Sequence, residues 1–400
     1  MLLHSFIPEQ LYYLMNDTSE STSPPIESSQ TIDPQRQETA KEYAAIGRKL
    51  FVVELVIGLA YVLIWIVAGI SPWLRDQIYQ FTTATWLSVP LFAVGFALPQ
   101  MVLTAPLDYY SGFVLPHRYG QSNQTLQAWL IDQAKGLVLA GVLGIIVLEI
   151  IYLLLSFAPD TWWLWTAAVM LIFSVLLSNL APVLIFPLFF TYHPLENEAL
   201  VERLTRLADQ AGAKVQGVYT FDMSSKTSAA NAALMGLGNT RRIVLGDTLV
   251  ENFTIDEIET VLAHELGHHV HKDLVTGIAV QSTLTLIGFY LADVVMRWGI
   301  ATFGYHGLND PATLPLLMVA MMVFGLVTMP LGNIWSRWRE VAADTYALET
   351  TRNPQAFISA MTRLANQNLA DTDPPTWVEF LLHSHPSISK RVALAEAFEG

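Results

Sequence analysis

The chain has 400 residues, 52% hydrophobic and only 14% charged, with a formal net charge of −14. Soluble domains usually carry about 25% charged residues, so this composition excludes an ordinary soluble protein, and the acidic balance with no basic stripe excludes nucleic acid as a partner. The lack of cysteine excludes a disulfide framework, a thiol nucleophile and any cysteinyl metal site.

Residues 1–49 are polar, with a Ser/Thr/Pro-rich patch at Ser21–Pro25 and mixed charge from Asp33 to Lys49. No basic segment precedes an apolar core near Met1, so no cleavable signal peptide is expected, and the apolar run Leu11–Met15 is too short to span. This part reads as a flexible N-terminal tail. Six apolar stretches follow at about 50–70, 86–106, 136–158, 162–190, 275–298 and 312–332. Each approaches the roughly 20 residues that a helix needs to cross a hydrocarbon core. Pro182 and Pro187 break the fourth, and the third and fourth form a tight hairpin around Pro159–Asp160. Trp162, Trp163 and Trp165 lie where an interfacial aromatic belt belongs. Glu54, Glu149 and Asn179 are polar groups within spans, and Glu149 is the one expected to line a cavity.

With six spans, the tail, the 107–135 loop, the 191–274 segment and the 333–400 segment share one side. Every Lys and Arg except Arg75 and Arg297 falls there, which places that side and both termini in the cytoplasm. The expected fold is mainly α: a polytopic bundle with four spans in 50–190 and two in 275–332. A cytoplasmic domain with a small sheet is divided between 191–274 and 333–400. Within the first part, Leu195–Ala211 has helical spacing, and Val215–Phe221, Asn231–Met235 and Arg242–Leu245 read as strands.

Thr254, with Glu257 three residues on, opens a further helix as a capping box. That helix carries His264-Glu265-Leu266-Gly267-His268. Histidines four residues apart emerge on one helix face and can share a zinc ion, while Glu265 faces the water to be activated. Zinc brings such a water to a pKa of about 7, within reach of a carboxylate base. A catalytic site needs a third protein ligand, and Glu340 is the candidate. Asp344 stands one turn further on, placed to accept a hydrogen bond from a ligand histidine.

Several other segments resemble the type I CAAX prenyl endoproteases, integral-membrane gluzincin peptidases. They are Asp108-Tyr109-Tyr110-Ser111-Gly112-Phe113, His117-Arg118-Tyr119-Gly120 with Asn123, Asn231-Ala232-Ala233, Arg242-Ile243-Val244-Leu245, Ser336-Arg337, and Ser384-His385-Pro386 with Arg391. The resemblance implies a zinc endopeptidase with one Zn2+ on His264, His268 and Glu340, and Glu265 as base and acid. It further implies His385 as oxyanion stabiliser, Asn231 and Ala232 as substrate-backbone partners by strand addition, and Arg391 ordering the site from behind. His269, His271 and His383 are read as solvated. The implied partners are a peptide or protein substrate, lipidated or membrane-anchored, and the bilayer itself. Two departures stand out: the eukaryotic members have one more span, and Gln121 replaces a phenylalanine. Both suit a bacterial-type member in an inner membrane. The alternatives are an HtpX-like quality-control protease and a non-enzymatic carrier of lipidated peptides, against which Glu265 argues.

Overall fold

The computed structural model describes residues 31–236 and 238–398. Helices dominate, and among the described residues six are long and apolar enough to cross a membrane, matching the six expected spans.

Helix α1 (Pro34–Val67) starts well before the expected first span. The Asp33 side chain caps it by accepting from the Gln35 and Arg36 N–H groups. Pro34 occupies the first helical position, where a missing N–H costs nothing. Residues 34–49 of the expected tail are therefore helical; its earlier part, with Leu11–Met15 and Ser21–Pro25, lies outside the described residues. The physical reason is tertiary. The buried Gln37 side chain donates to the Ala370 carbonyl at 3.0 Å and accepts from the N–H and hydroxyl of Thr372 at 3.1 and 2.8 Å.

A ten-residue helix that the sequence did not signal, α2 (Ile70–Tyr79), follows; at about 1.5 Å per residue it is too short to span. Helix α3 (Thr85–Tyr109) runs through a π-turn into α4 (Leu115–Arg118). Helices α5 (Leu126–Phe157) and α6 (Trp162–Leu180) form the expected hairpin. Pro182 and Pro187 end the regular α6 hydrogen bonding, leaving a π-turn and a 3₁₀ turn.

The insert carries β1 (Tyr192–Pro194), α7 (Glu198–Gln210), β2 (Val218–Phe221), β3 (Ala232–Met235), β4 (Arg242–Gly246) and α8 (Asp247–Asn252). The sheet order is β1-β2-β4-β3, with β2 parallel to β4 and the other pairs antiparallel, so β3 is an edge. The chain continues through α9 (Ile255–Val270), α10 (Asp273–Phe303), α11 (Leu314–Thr351), α12 (Pro354–Gln367), α13 (Thr376–Leu382) and α14 (Ile388–Glu396). No break separates the sixth span from the helix that bears Glu340; both belong to the 38 residues of α11.

Two cores hold the molecule. One packs the sheet against α7, α9, α12 and the end of α11, around Leu204, Ile243, Leu262 and Phe357. The other closes the far end of the bundle around Trp65, Phe92, Tyr152, Trp162, Phe289 and Leu316. Between them, α5 and α6 bury nothing: their buried residues are confined to Ile151–Leu155 and Trp162–Ala167. Val102 of α3, Val138 of α5, Ile172 of α6 and Val327 of α11 are exposed, a surface that suits hydrocarbon rather than water. The two basic residues on the far side are neutralised locally. Arg75 meets buried Asp310 at 2.5 Å, and Arg297 meets Asp293 at 2.9 Å, whose other oxygen accepts from the Trp162 indole.

Candidate metal centre

Helix α9 opens as expected. The Thr254 N–H donates to the Glu257 carboxylate at 2.7 Å and the Glu257 N–H to the Thr254 hydroxyl at 3.3 Å. The free oxygen of Glu257 accepts from Ser359 and Arg363, so this buried acid belongs to the cap and not to a metal. Further along, α9 lies directly on α11: a Cβ on Gly267 would come within 2.9 Å of the Ala343 Cα. That close approach lets a carboxylate on α11 reach imidazoles on α9.

His264, His268 and Glu340 converge. Their ligand atoms lie within 4.8 Å of one another, with the two Nε2 atoms 3.3 Å apart and Glu340 oxygens at 3.2 and 3.5 Å from them. Glu340 Oε2 is buried yet has no hydrogen-bond partner among the described residues. An orphaned carboxylate oxygen facing two imidazole nitrogens fits a metal ion and little else. Burial pulls the His264 imidazole down, but Asp344 and Glu340 outweigh it and push it up to about 9.

Each histidine is oriented from behind by a carboxylate. His264 Nδ1 lies 2.8 Å from Asp344 Oδ1, and Asp344 in turn accepts from Arg391 at 2.6 and 2.8 Å. His268 Nδ1 lies 2.8 Å from Asp273 Oδ2, whose other oxygen accepts from the Arg339 guanidinium. The first support was expected from the sequence, and the second was missed. Asp273 follows a helix break in which Lys272 takes a left-handed backbone (φ 57). That turn aims the first residue of α10 back at α9. The only sequence signal was an acid five residues past the second histidine.

Glu265 is partly buried beside the ligands, and burial raises its carboxyl pKa. His385 comes in from the loop after α13, its Nε2 3.3 Å from Glu340 Oε1 and its Nδ1 2.9 Å from the Ser384 hydroxyl. Arg337 and Asn333 of α11 hold that loop by donating to the Glu379, His383 and Leu381 carbonyls. This accounts for the Ser336-Arg337 motif. His383 contributes only its carbonyl, and His271 packs toward Tyr346 away from the cluster.

A cavity of about 690 Å³ runs past Asn231, Ala232, His264, Glu265 and His385, with Tyr43 of α1 on its wall. The Asn231 side chain is turned onto the Ala232 N–H at 2.9 Å, while its carbonyl accepts from Gly246 N–H of β4. By the alternation of an antiparallel ladder, Ala232 and Leu234 then face the free edge. Asn368 grips both backbone groups of Ala230. The loop after α4 pins the preceding residues: Ser228 donates to the Gly120 carbonyl, and Thr227 to that of Gln121. Gln121, the departure noted in the sequence, itself donates to the Gln367 carbonyl. The motifs before the third span thus brace the edge strand. Glu149 has one buried carboxylate oxygen without a partner among the described residues, whereas Asn179 returns its amide to the Val175 carbonyl.

Residues 194–399 match the model of peptidase family M48, and residues 15–191 match that of the CAAX prenyl protease N-terminal region with five membrane helices. The chain is 31% identical to the uncharacterized metalloprotease YhfN of Bacillus subtilis, over 92% of this chain and 87% of that protein. It is also 31% identical to CAAX prenyl protease 1 of Saccharomyces cerevisiae, over 72% and 67% of the two chains. The crystal structure of Ste24p from S. mikatae superposes with a TM-score of 0.79 at 25% identity, covering 91% of this chain and 89% of that one.

Proposed function

The chain belongs to peptidase family M48, as a multi-pass membrane metalloendopeptidase of CAAX prenyl protease type, and on that premise we propose zinc as its metal. His264, His268 and Glu340 would hold the ion, which suits two imidazoles and one carboxylate with a position left open. When bound it supplies Lewis acidity to water and to the scissile carbonyl. Glu265 takes the proton from the attacking water and returns it to the leaving amine. His385, its Nδ1 held by Ser384, turns Nε2 to the developing oxyanion. Asp344 and Asp273 fix the two ligand rings, and Arg391 fixes Asp344.

The substrate is a peptide or protein segment, and we assign its backbone to the free edge of β3 at Ala232 and Leu234, with Asn231 at the start of the strand. Binding through the main chain leaves side-chain choice broad. The exposed first turn of α10, with Leu274 and Val275, begins immediately after Asp273, so the segment is presented at the membrane boundary, by a lipid chain or a membrane anchor. The basic excess on the catalytic side, against two far-side arginines each paired with an acid, supports a cytoplasmic site.

The observation that carries this reading is the convergence of His264, His268 and Glu340 beside a partly buried Glu265. Its test is Glu265→Gln. The variant should retain about one equivalent of zinc while cleavage of a quenched peptide in proteoliposomes falls by roughly 10²–10⁴-fold or more. Loss of the metal, or full activity, removes the role given to Glu265.

A further inference from the structure

The cleft does not end at the catalytic residues. Beyond Leu234 and Gly236 it continues as a second cavity of about 390 Å³, whose lining includes Arg241, Glu265, His268, Lys272 and Leu274. Three cavities touch the metal cluster, and they contain four Lys or Arg side chains. Two of these, Arg339 and Arg391, are consumed by Asp273 and Asp344. Neither Arg241 nor Lys272 forms an ion pair among the described residues. Among the described residues Glu265 is the only carboxylate on the lining of this end.

The fold fixes the backbone of both residues. Gly236 takes a positive φ (89°), and a Cβ there would lie 2.6 Å from the Thr240 carbonyl oxygen, so the β3–β4 connection closes tightly and delivers Arg241 beside the end of β3. The Arg241 carbonyl accepts from the Gln216 N–H. Lys272 sits in the left-handed turn between α9 and α10, where a residue with a Cβ stays only because the surroundings require it. Leu234, Leu274 and Val275 share the lining with the imidazole of His269, so the two cations stand on a partly apolar wall.

We propose that this end of the cleft is an anion subsite for the substrate, in which Arg241 and Lys272 receive a carboxylate of the bound peptide. The carboxylate is either the C-terminal one or an acidic side chain. The inference rests on the reading of β3 as the substrate edge. Because Glu265 and His268 line the same cavity, the carboxylate belongs within a few residues of the scissile bond. A charge-assisted contact of this kind in a half-open cleft is worth about tenfold in kcat/KM.

The test uses the full-length zinc enzyme in neutral phosphatidylcholine vesicles and a peptide series. One sequence carries Glu, Gln or Lys at each of three positions on either side of the scissile bond, with a free or amidated C-terminus. One placement of the carboxylate should raise kcat/KM about tenfold over its neutral counterpart. The Gln series and the amidated series identify whether a side chain or the terminus supplies it. The ratio of acidic to neutral peptide should fall to about one in Arg241→Gln and in Lys272→Gln, and should invert toward Lys peptides in Arg241→Glu. Equal rates for acidic, neutral and amidated peptides at every position overturn the proposal, as does a preference that survives Arg241→Glu and Lys272→Glu. A dependence on anionic lipid, with no dependence on peptide charge, would make the pair a headgroup site and overturn it too. Leu234→Pro deletes the outward N–H of β3 and tests the strand reading by itself. Unchanged kcat/KM in that variant would remove the strand assignment, while the charge ratio in the wild type still decides the subsite.

Discussion

The structure assigns the two ligand histidines to two different carboxylate supports, and replacing Asp273 separates them. Asp273 accepts from His268 and from Arg339, but Arg339 keeps 27% of its side chain exposed and can rehydrate when its partner is lost. Asp344 is wholly buried, and the Arg391 it holds is 12% exposed. Losing an outer partner of a metal-bound histidine typically weakens metal binding by about 10–100-fold, which is about 1.4–2.7 kcal/mol. Asp273→Ala should show that loss of zinc affinity with a stability change of about 1 kcal/mol or less, because the stranded guanidinium already reaches water. Asp344→Ala should show the same loss of affinity together with about 3–5 kcal/mol of destabilisation, because it leaves a buried charge unpaired. Competitive chelator titration gives the affinities, and thermal unfolding of the metal-free protein gives the stabilities. Zinc affinity within about twofold of wild type in Asp273→Ala would refute the second support, and equal stability of the two variants would refute the distinction drawn from burial.

Glu340→Ala should lose zinc and activity together, since two imidazoles alone make a weak site; metal analysis after dialysis checks it. Gln37→Ala removes three hydrogen bonds between α1 and the Ala370–Thr372 loop. It should cost about 1–3 kcal/mol and raise KM more than it lowers kcat, because that loop and Tyr43 flank the cleft; melting curves and peptide kinetics separate the two effects. A reporter fused after Gly400 should behave as cytoplasmic and one inserted at the exposed His306 as the opposite. Asp310 is unsuitable for that insertion because it is buried against Arg75. Matching signals at both places would remove the assigned orientation.

What could be read directly from the sequence was local or periodic. The six spans follow from run length, and the capping box from two residues three apart. The imidazole pair follows from a four-residue spacing, with Glu340 and Asp344 repeating the same spacing on a second helix. Contacts across a break left no such trace. Asp273 lies five residues after His268, a separation that on a continuous helix would carry it away from the ring, and only the left-handed Lys272 brings it back. Residues 34–49 failed for a related reason. Their polar composition reads as a tail, yet the Gln37 side chain bonds to Ala370 and Thr372, and the Asp33 N–H donates to the Asn366 side chain. Strand β1 has three residues and gains its order from pairing with β2, which no propensity could supply.

The geometry also ties the candidate metal site to the long apolar helices. Its inserted segments, 191–274 and 333–400, look like two pieces of one soluble peptidase. However, the third ligand is carried on α11, a single helix that also forms the sixth span, and the acid behind His268 is the first residue of the fifth. Of the groups that converge on the candidate metal site, α11 therefore carries Glu340, α10 carries the Asp273 behind His268, and α9, which bears both histidines, packs on α11 at Gly267 against Ala343. Cutting the helices at the membrane would remove the packing that sets Glu340 against His264 and His268.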